Sequence, residues 1–315
     1  MNDVERWASE IRANVRRVIY GKDEVVDALL IALVCGGHAL LEDVPGVGKT
    51  ILARALAASL DCAMNRLQCT PDLMPADVIG VSIYNQKSSD FEFRNGPIMT
   101  NILLVDEINR ASPRTQSALL EAMEERAITV EGSARPLPDP FFIIATENPV
   151  EFEGTFPLPV AQKDRFFLST TMGYPDAAAE KEIMEAQRRT THPVEDLRPV
   201  SDLHALAHAR RMVSEIAVPG EVSAYILDLV RATRGDAALA LGASPRASRA
   251  LYRGAKARAA FDGRGAASID DVSALAPAVL WKRVTTAPDT LLRGVSERQL
   301  VQEILGRTAA PRSEG

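Results

Sequence analysis

The sequence predicts an α/β fold in which an αβα core built on a parallel sheet is followed by an all-helical lid domain. Residues 102–105 and 141–146 are short, continuously apolar runs, which suit parallel strands buried on both faces. Such runs alternate with helical patterns as far as Pro175, as in βαβ units. Beyond Pro175 only helical patterns remain. We therefore expect a core at residues 1–174 and a lid at residues 175–315, with a frayed tail from Thr308.

The expected elements follow from hydrophobic spacing and from end signals. Val25, Leu29 and Leu33 recur at helical spacing, and Ser112 and Pro113 are typical of an N-cap and a first helical residue. The buried face of the helix after Ser112 is expected to carry Leu119, Leu120, Met123 and Ala127. Strands are expected at residues 38–41, 63–68, 101–106 and 141–146. Helices are expected at residues 3–18, 22–35 and 49–60, from residue 112, and at residues 176–188, 201–213, 221–234, 245–261, 269–280 and 297–305.

The composition is that of a globular protein with an acidic balance. Its 315 residues carry 36 basic and 42 acidic side chains, so the net charge is −6. This balance disfavours nucleic acid as a partner, because a basic surface supplies most of that affinity. The three cysteines are Cys35, Cys62 and Cys69, and no two of them form a C-x-x-C pair. We interpret them as small buried apolar residues. The sequence shows no signal peptide and no apolar run of the ~20 residues that a spanning helix needs, so we expect a cytoplasmic protein without a transmembrane segment.

A loop between a predicted strand and a predicted helix carries the main chemical signal. It reads Asp43-Val44-Pro45-Gly46-Val47-Gly48-Lys49-Thr50, a P-loop pattern in the strand–loop–helix context that this motif requires. Glycines allow backbone N–H groups to cradle phosphate oxygens, and the helix N-terminus adds a favourable dipole. Lys49 is expected to reach the β- and γ-phosphates of ATP, and the Thr50 hydroxyl to bind Mg²⁺. Asp43 stands where the pattern usually has glycine, so Pro45 and Gly46 are expected to form the tight turn.

An acidic pair, Asp106-Glu107, ends another apolar strand further along the chain. In P-loop ATPases an Asp at this strand end holds Mg²⁺, often through water. The carboxylate that follows it is placed to activate the attacking water. An acidic pair in a loop is weak evidence alone, but after a P-loop it predicts Asp106 as a metal residue and Glu107 as the general base.

Four segments together resemble the MoxR-type ATPases of the AAA+ class. They are residues 40–50 with the P-loop, residues 103–125 beginning Leu-Leu-Val-Asp-Glu-Ile-Asn-Arg, residues 145–149 with 153–166, and residues 242–247. The third segment reads Ala-Thr-Glu-Asn-Pro and then Glu-Gly-Thr-Phe-Pro-Leu-Pro-Val-Ala-Gln-Lys-Asp-Arg-Phe, and the fourth reads Gly-Ala-Ser-Pro-Arg-Ala. The resemblance extends over residues 18–305 and is specific because all four segments occur in one chain.

This resemblance implies roles for three further residues. Asn148 corresponds to the sensor that hydrogen-bonds the γ-phosphate or the attacking water. Arg165 corresponds to an arginine finger, which reaches the nucleotide of a neighbouring subunit. Arg246 corresponds to the second sensor arginine. It follows Ser244-Pro245 in the first turn of a predicted helix, where the macrodipole disfavours a cation unless an anion is close. Whether Arg246 acts on its own nucleotide or on a neighbour's stays open.

The same resemblance suggests weaker assignments around these residues. Gln68 ends a predicted strand where the class often has a polar residue that restrains the catalytic Glu. Arg110 and Arg114 are interpreted either as interface residues or as solvated surface charges. Two insertions, residues 80–96 and 128–138, read as β-hairpins that face the pore or the partner protein in ring ATPases.

The resemblance implies a homo-oligomeric ring, expected to be a hexamer, with ATP and Mg²⁺ between subunits. Its output would be the remodelling or activation of a partner protein, often one with a von Willebrand factor A domain and sometimes during metal insertion. Three alternatives stay open: the motor subunit of a metal chelatase, a nucleic-acid motor and a nucleotide switch that does not hydrolyse ATP. The acidic charge disfavours the second, and the set of Glu107, Asn148 and Arg165 disfavours the third. His204 and His208 are four apart on a predicted helix but have no evident third metal ligand.

Overall fold

The computed structural model describes residues 2–87, 89–149, 155–186 and 193–309. Its strands are β1 Ala39–Glu42, β2 Met64–Gln68, β3 Gly80–Asn85, β4 Asp90–Asn95, β5 Ile102–Asp106, β6 Ala127–Val130, β7 Ser133–Pro136, β8 Phe142–Glu147, β9 Leu168–Thr170, β10 Leu239–Leu241 and β11 Thr285–Thr286. Its helices are α1 Asp3–Arg16, α2 Asp23–Val34, α3 Lys49–Ser59, α4 Pro75–Ile79, α5 Pro113–Glu125, α6 Val160–Lys163, α7 Ala177–Ala186, α8 Leu203–Glu215, α9 Gly220–Gly235, α10 Pro245–Phe261, α11 Ile269–Leu280, α12 Pro288–Leu292 and α13 Glu297–Arg307. The expected helix end at 187–188, residues 153 and 154 of the third motif, and the tail beyond 309 lie outside the described residues.

A five-stranded sheet forms the centre of the first half of the chain. Its strand order is β2-β5-β8-β1-β9, and every neighbouring pair is parallel. β5 and β8 are buried along their whole length, as continuously apolar strands in a parallel sheet should be. Helices cover both faces, so the predicted αβα core is confirmed. Because the strands are parallel, Asp43, Gln68, Asp106 and Glu147 all lie at the same carboxyl edge of the sheet.

Side-chain caps fix where several helices begin. The side-chain oxygens of Asn2, Ser112 and Ser244 accept backbone N–H groups in the first turns of α1, α5 and α10. α5 ends at Arg126, whose φ of 53° is left-handed. Ala127 therefore lies in strand β6, and its expected place on the buried face of α5 was wrong.

The two predicted hairpins are present as β3–β4 and β6–β7, both antiparallel. The lid is helical as predicted, with one addition: β10 and β11 pair as a short antiparallel ribbon within it. β10 has three residues and β11 has two, which are too few to show a hydrophobic period. The ribbon could therefore not be predicted from the sequence. The short helices α4, α6 and α12 were also not expected.

Helix α1 packs against both parts of the chain. The ring of Trp7 lies 6.0 Å from that of Phe261 at the end of α10, and its indole N–H donates to Ser201 Oγ at 2.9 Å. On the core side, the Asn14 amide donates to Ser59 Oγ, at the end of α3, at 3.0 Å. Because α1 belongs to both sets of contacts, the division at residues 174 and 175 stays a proposal.

All three cysteines are free, and two of them, Cys35 and Cys69, are buried as expected, whereas Cys62 is half-buried. Burial raises the pKa of each thiol to about 12, so none is a reactive thiolate near neutral pH. In the described part of the chain, no helix is both long enough and apolar enough to span a membrane.

Candidate nucleotide site

The P-loop connects β1 to α3, as the sequence predicts. Gly46 and Gly48 have φ values of +86° and +96°, a left-handed conformation that side chains other than glycine rarely adopt. Lys49 is the first residue of α3, so the positive end of the helix dipole points into the loop. Its Nζ donates to the carbonyl oxygens of Asp43 and Val44, at 3.1 and 3.0 Å, and burial lowers its pKa. A half-buried ammonium group that donates to two neutral carbonyls is well suited to meet an anion.

The carboxyl edge of the sheet and the P-loop enclose one cavity of about 320 Å³. The predicted residues that line it are Pro45, Gly46, Gly48, Lys49, Thr50, Gln68, Asp106, Glu107 and Asn148. Three residues that the sequence analysis did not single out also line it: Ile51, Arg66 and Thr146. The predicted phosphate, metal, base and sensor residues therefore share one space.

Asp43, which replaces the usual first glycine, is buried and turned away from this cavity. Its carboxylate accepts the backbone N–H of Met172 and, at 2.9 Å, that of Gly173. These two residues lie shortly after β9, which ends at Thr170, at the expected junction with the lid. Asp43 thus ties the start of the P-loop to the junction, and it does not itself face the phosphate cavity.

The acidic pair lies at the end of β5. Glu107 adopts a left-handed φ of 57°, which turns its side chain out of the strand direction. Its backbone N–H donates to Thr146 Oγ1 at 2.8 Å, and that hydroxyl donates to the Asp106 carboxylate at 3.4 Å. Thr146, on the neighbouring strand β8, therefore fixes both residues of the pair. Arg126, at the end of α5, has a similar φ, so this conformation sets the direction of the Glu107 side chain and is not by itself a sign of function.

Both carboxylates are occupied by protein donors. Arg66 donates to Asp106 at 2.6 Å and to the side-chain oxygen of Gln68 at 3.1 Å. The Gln68 amide donates to Glu107 at 3.0 Å, and Arg110 donates to the same carboxylate oxygen at 3.1 Å. The structure therefore brings Gln68 onto Glu107, and it places Arg110 at this carboxylate too. Arg114 is exposed. Arg66 was missed, although its spacing of two from Gln68 puts both on one face of β2.

Arg165 and Arg246 lie together, but not at this cavity. Both pair with Glu124 near the end of α5, Arg165 at 3.1 Å. They line a second cavity, of about 280 Å³, together with Gly37 and His38 at the start of β1. The P-loop begins at Asp43, at the other end of β1. In an extended strand the Cα atoms of His38 and Asp43 are about 16 Å apart. In this conformation neither arginine meets the phosphate cavity of its own chain.

A smaller apolar cavity adjoins the P-loop on its other side. Its volume is about 150 Å³, and it shares Gly46, Gly48 and Ile51 with the phosphate cavity. The remaining walls come from Val18, Ile19, Tyr20, Lys22, Val47, Met172, Pro175, Ile183 and Pro193. An apolar slot beside a phosphate cavity suits the base of a nucleotide. Apart from Val47 in the P-loop, none of these wall residues was predicted from the sequence, because apolar character alone does not separate a binding wall from core.

Comparison with known proteins decides the family. A family model described as "ATPase family associated with various cellular activities (AAA)" matches residues 38–168, and an "AAA lid domain" model matches residues 231–304. Chaperone MoxR1 of Mycobacterium tuberculosis is 38% identical over 94% of this chain and 80% of its own length. The chain belongs to the MoxR family of AAA+ ATPases.

Two further relatives match nearly the whole of this chain, as MoxR1 does. The protein YeaC of Bacillus subtilis is 46% identical over 95% of this chain and 93% of its own length. A crystal structure of a protein from Cytophaga hutchinsonii superposes with a TM-score of 0.91 at 35% identity, covering 98% of this chain and 96% of that one. The predicted MoxR-type resemblance is therefore confirmed over nearly the whole sequence.

The donors of this MoxR-family site fit Mg²⁺. The Thr50 hydroxyl and the Asp106 carboxylate line the same cavity and are hard oxygen ligands. Mg²⁺ usually takes one or two protein carboxylates and completes its shell with water and substrate phosphates. Within the described residues, no group of three or more His, Cys, Asp or Glu side chains is arranged to hold a metal ion. His204 and His208 are both exposed on α8.

Proposed function

We propose that this chain hydrolyses ATP to ADP and phosphate and uses the reaction to remodel or activate a partner protein. The observation that carries the proposal is the single cavity shared by Lys49, Thr50, Asp106, Glu107 and Asn148. A protein that only bound nucleotide would need the phosphate-binding lysine but not a carboxylate and a sensor amide beside it.

In the proposed mechanism, Lys49 and the N-terminus of α3 bind the phosphates. Thr50 and Asp106 are the residues that would hold Mg²⁺. Bound Mg²⁺ would neutralise charge that develops on the phosphate oxygens. Glu107 accepts a proton from a water molecule as the water oxygen bonds to the γ-phosphorus. The bond from that phosphorus to the bridging oxygen breaks, and ADP leaves with the electron pair. Asn148 orients the γ-phosphate or the water.

The position of the two arginines supports a shared site. Arg165 and Arg246 lie together beside Glu124, at the amino edge of the sheet and remote from their own P-loop. We propose that both act on the nucleotide of a neighbouring subunit, in a ring of identical subunits expected to be a hexamer. For Arg246, whose action the sequence left open, its position beside Arg165 supports the choice of a neighbouring subunit.

The proposed output is chaperone-like, and the relative named Chaperone MoxR1 supports it. The partner would be a protein, often one with a von Willebrand factor A domain, and its activation would include metal insertion in some cases. Hairpin β3–β4 offers a surface for such a partner, because Tyr84 and Phe91 meet edge to face while remaining 51% and 65% exposed. We place this activity in the cytoplasm, where three free thiols would stay reduced.

The test is the steady-state ATPase rate as a function of protein concentration, for the wild type, Glu107→Gln and a control, Glu10→Gln, on the exposed face of α1. We expect specific activity to rise steeply with concentration in the wild type and the control. Glu107→Gln should bind ATP but lose at least 100-fold in turnover, since a general base contributes roughly 10²–10⁴-fold. Equal turnover in Glu107→Gln would remove the assigned base. Bound ATP with no hydrolysis in any protein, even with candidate partners added, would instead indicate a nucleotide switch.

A further inference from the structure

Arg283 follows α11 in the lid and is almost completely buried, with only 4% of its surface exposed. Its Nε donates to the Asp164 carboxylate at 2.8 Å. Its Nη atoms donate to the carbonyl oxygens of Phe166 and Phe167, the latter at 3.1 Å. The lid guanidinium therefore holds the backbone on both sides of Arg165, the candidate finger.

Asp164 extends this contact to the second arginine. Its other carboxylate oxygen accepts the Ser244 hydroxyl at 2.7 Å. Ser244 is the N-cap of α10, and its side-chain oxygen accepts the backbone N–H of Arg246 at 3.1 Å. Arg283, Asp164 and Ser244 thus form one connected set, and each candidate trans-acting arginine is next to or bonded to a member of it.

This set is costly to bury, which argues that it does more than fill space. Burial lowers the pKa of Arg283, and the Asp164 carboxylate opposes that shift. A buried ion pair often contributes no more stability than apolar side chains of equal volume. The planar guanidinium group of Arg283, in contrast, fixes the direction of several acceptors at once. The acceptors fixed here belong to Asp164, Phe166 and Phe167, the residues that flank Arg165 in the chain.

We infer that Arg283 and Asp164 are positioning residues that hold Arg165 and Arg246 in a fixed relation and move them together with the lid. This inference rests on the proposed function, because it needs both arginines to serve a neighbouring subunit's nucleotide. Through Arg283, the lid of one subunit would then set the rate of ATP hydrolysis in the next subunit. The residues that bind the subunit's own nucleotide are not involved.

Mixed assemblies test the inference, with Arg283→Lys as the main variant. Lysine keeps the charge but cannot reach the carboxylate and two carbonyls together. We expect kcat to fall roughly 100-fold, as for a misplaced catalytic group, with little change in ATP affinity. Mixed with Glu107→Gln subunits, Arg283→Lys should regain activity, because its intact P-loop and base can meet a correctly held finger. Mixed with Arg165→Ala subunits it should not, because both partners lack a working finger.

Arg264→Lys is the matched control, since Arg264 also makes a bidentate pair within the lid, with Asp271, away from the finger. It should retain nearly full turnover. Suppose that Arg165→Ala regains activity with Glu107→Gln subunits but Arg283→Lys does not. The positioning role of Arg283 would then be wrong, while the shared site of the proposed function would stand. If Arg165→Ala also fails to recover, the shared site of the proposed function is wrong.

A second variant covers the case in which Arg283→Lys does not fold. Ser244→Ala keeps the pair between Arg283 and Asp164 but removes the link to α10. It should lower kcat in the same mixing pattern, with a smaller loss. A Ser244→Ala protein that turns over at the wild-type rate, or that stays inactive with Glu107→Gln subunits, would contradict the positioning role.

Discussion

Glu107 is held by Gln68 and Arg110 in the structure, at 3.0 and 3.1 Å. Both donors bond the same carboxylate oxygen, so that oxygen must release a protein hydrogen bond before it can contact the attacking water. We expect Gln68→Ala to raise the basal ATPase rate by roughly 2- to 10-fold, which corresponds to one hydrogen bond of about 0.5–1.5 kcal/mol. ATP affinity should not change. The measurement is kcat and KM without a partner protein.

Gln302→Ala, on the exposed side of α13, is the control for this variant and should behave as the wild type. A lower kcat in Gln68→Ala would show the opposite role, in which Gln68 places Glu107 rather than restraining it. Either result would also bear on Arg66. This residue donates hydrogen bonds to both Asp106 and Gln68, and Gln68 in turn donates to the base, Glu107.

His38 makes stability depend on pH. It is 4% exposed, accepts the Ile143 N–H at one ring nitrogen and contacts the Met123 carbonyl at the other, and burial lowers its pKa to about 4. Between pH 6.5 and 4 the unfolded chain takes up a proton that the folded chain does not. The free energy of unfolding should therefore fall as pH drops through this window, by up to roughly 3 kcal/mol.

His38→Gln checks this prediction, because glutamine also offers a donor and an acceptor but does not titrate here. Urea unfolding at several pH values between 7 and 4 should give a steeper loss of stability in the wild type than in the variant. Other titrating groups affect both proteins alike, so the difference in slope isolates His38. Parallel curves would mean that the pKa of His38 is the same in the folded and the unfolded chain.

At the scale of single elements, the P-loop depends on the conformation of one glycine. Gly48 has φ +96°, where a Cβ costs about 1–2 kcal/mol. We expect Gly48→Ala to weaken ATP binding by at least tenfold, because the strained loop would no longer direct its N–H groups at the phosphates. Titration with a fluorescent ATP analogue measures the affinity.

Gly220→Ala is the matched control. Gly220 is the first residue of α9, its φ is not in the left-handed region, and an added Cβ would meet nothing within 4 Å. This variant should bind the analogue as the wild type does. Equal affinity in both variants would argue that the loop adopts another backbone shape when it binds phosphate.

At the scale of the whole molecule, ATP should promote assembly. Arg165 and Arg246 share one carboxylate, Glu124, so their charges are incompletely balanced in the isolated chain. The phosphates bound in a neighbouring subunit would supply the missing negative charge. We expect Glu107→Gln to form larger species on addition of ATP and Mg²⁺, as measured by sedimentation velocity, and to lose them as added salt screens these charges.

Two variants show what ATP-dependent assembly depends on. They are Lys49→Ala and the double variant Arg165→Ala with Arg246→Ala. The first should not assemble further with ATP because it binds none. The second should bind ATP but assemble weakly. Assembly of the double variant at wild-type concentrations would show that other surfaces hold the subunits together, and the arginines would then serve hydrolysis alone.

The sequence by itself determined the elements and the local chemistry. Alternating apolar runs, Ser112 before Pro113, and the glycines of the P-loop are short-range signals, because strand period, helix capping and positive φ each act within a few residues. They were enough to predict the parallel sheet, both hairpins and the helical lid. They also predicted the P-loop and the acidic pair that share the phosphate cavity, because carboxyl ends of parallel strands meet at one edge. Gln68 and Asn148, in the same cavity, were predicted from the family resemblance.

Only the tertiary structure decided which distant side chains meet. Asp43 binds the backbone of Met172 and Gly173, and Arg66 binds Asp106 across two strands. Arg246 lies beside Glu124 rather than near its own P-loop. These contacts join residues tens to more than a hundred positions apart, and their geometry depends on strand order and on how the lid packs. No local period records such information, so the carboxylate that each arginine contacts had to come from the fold.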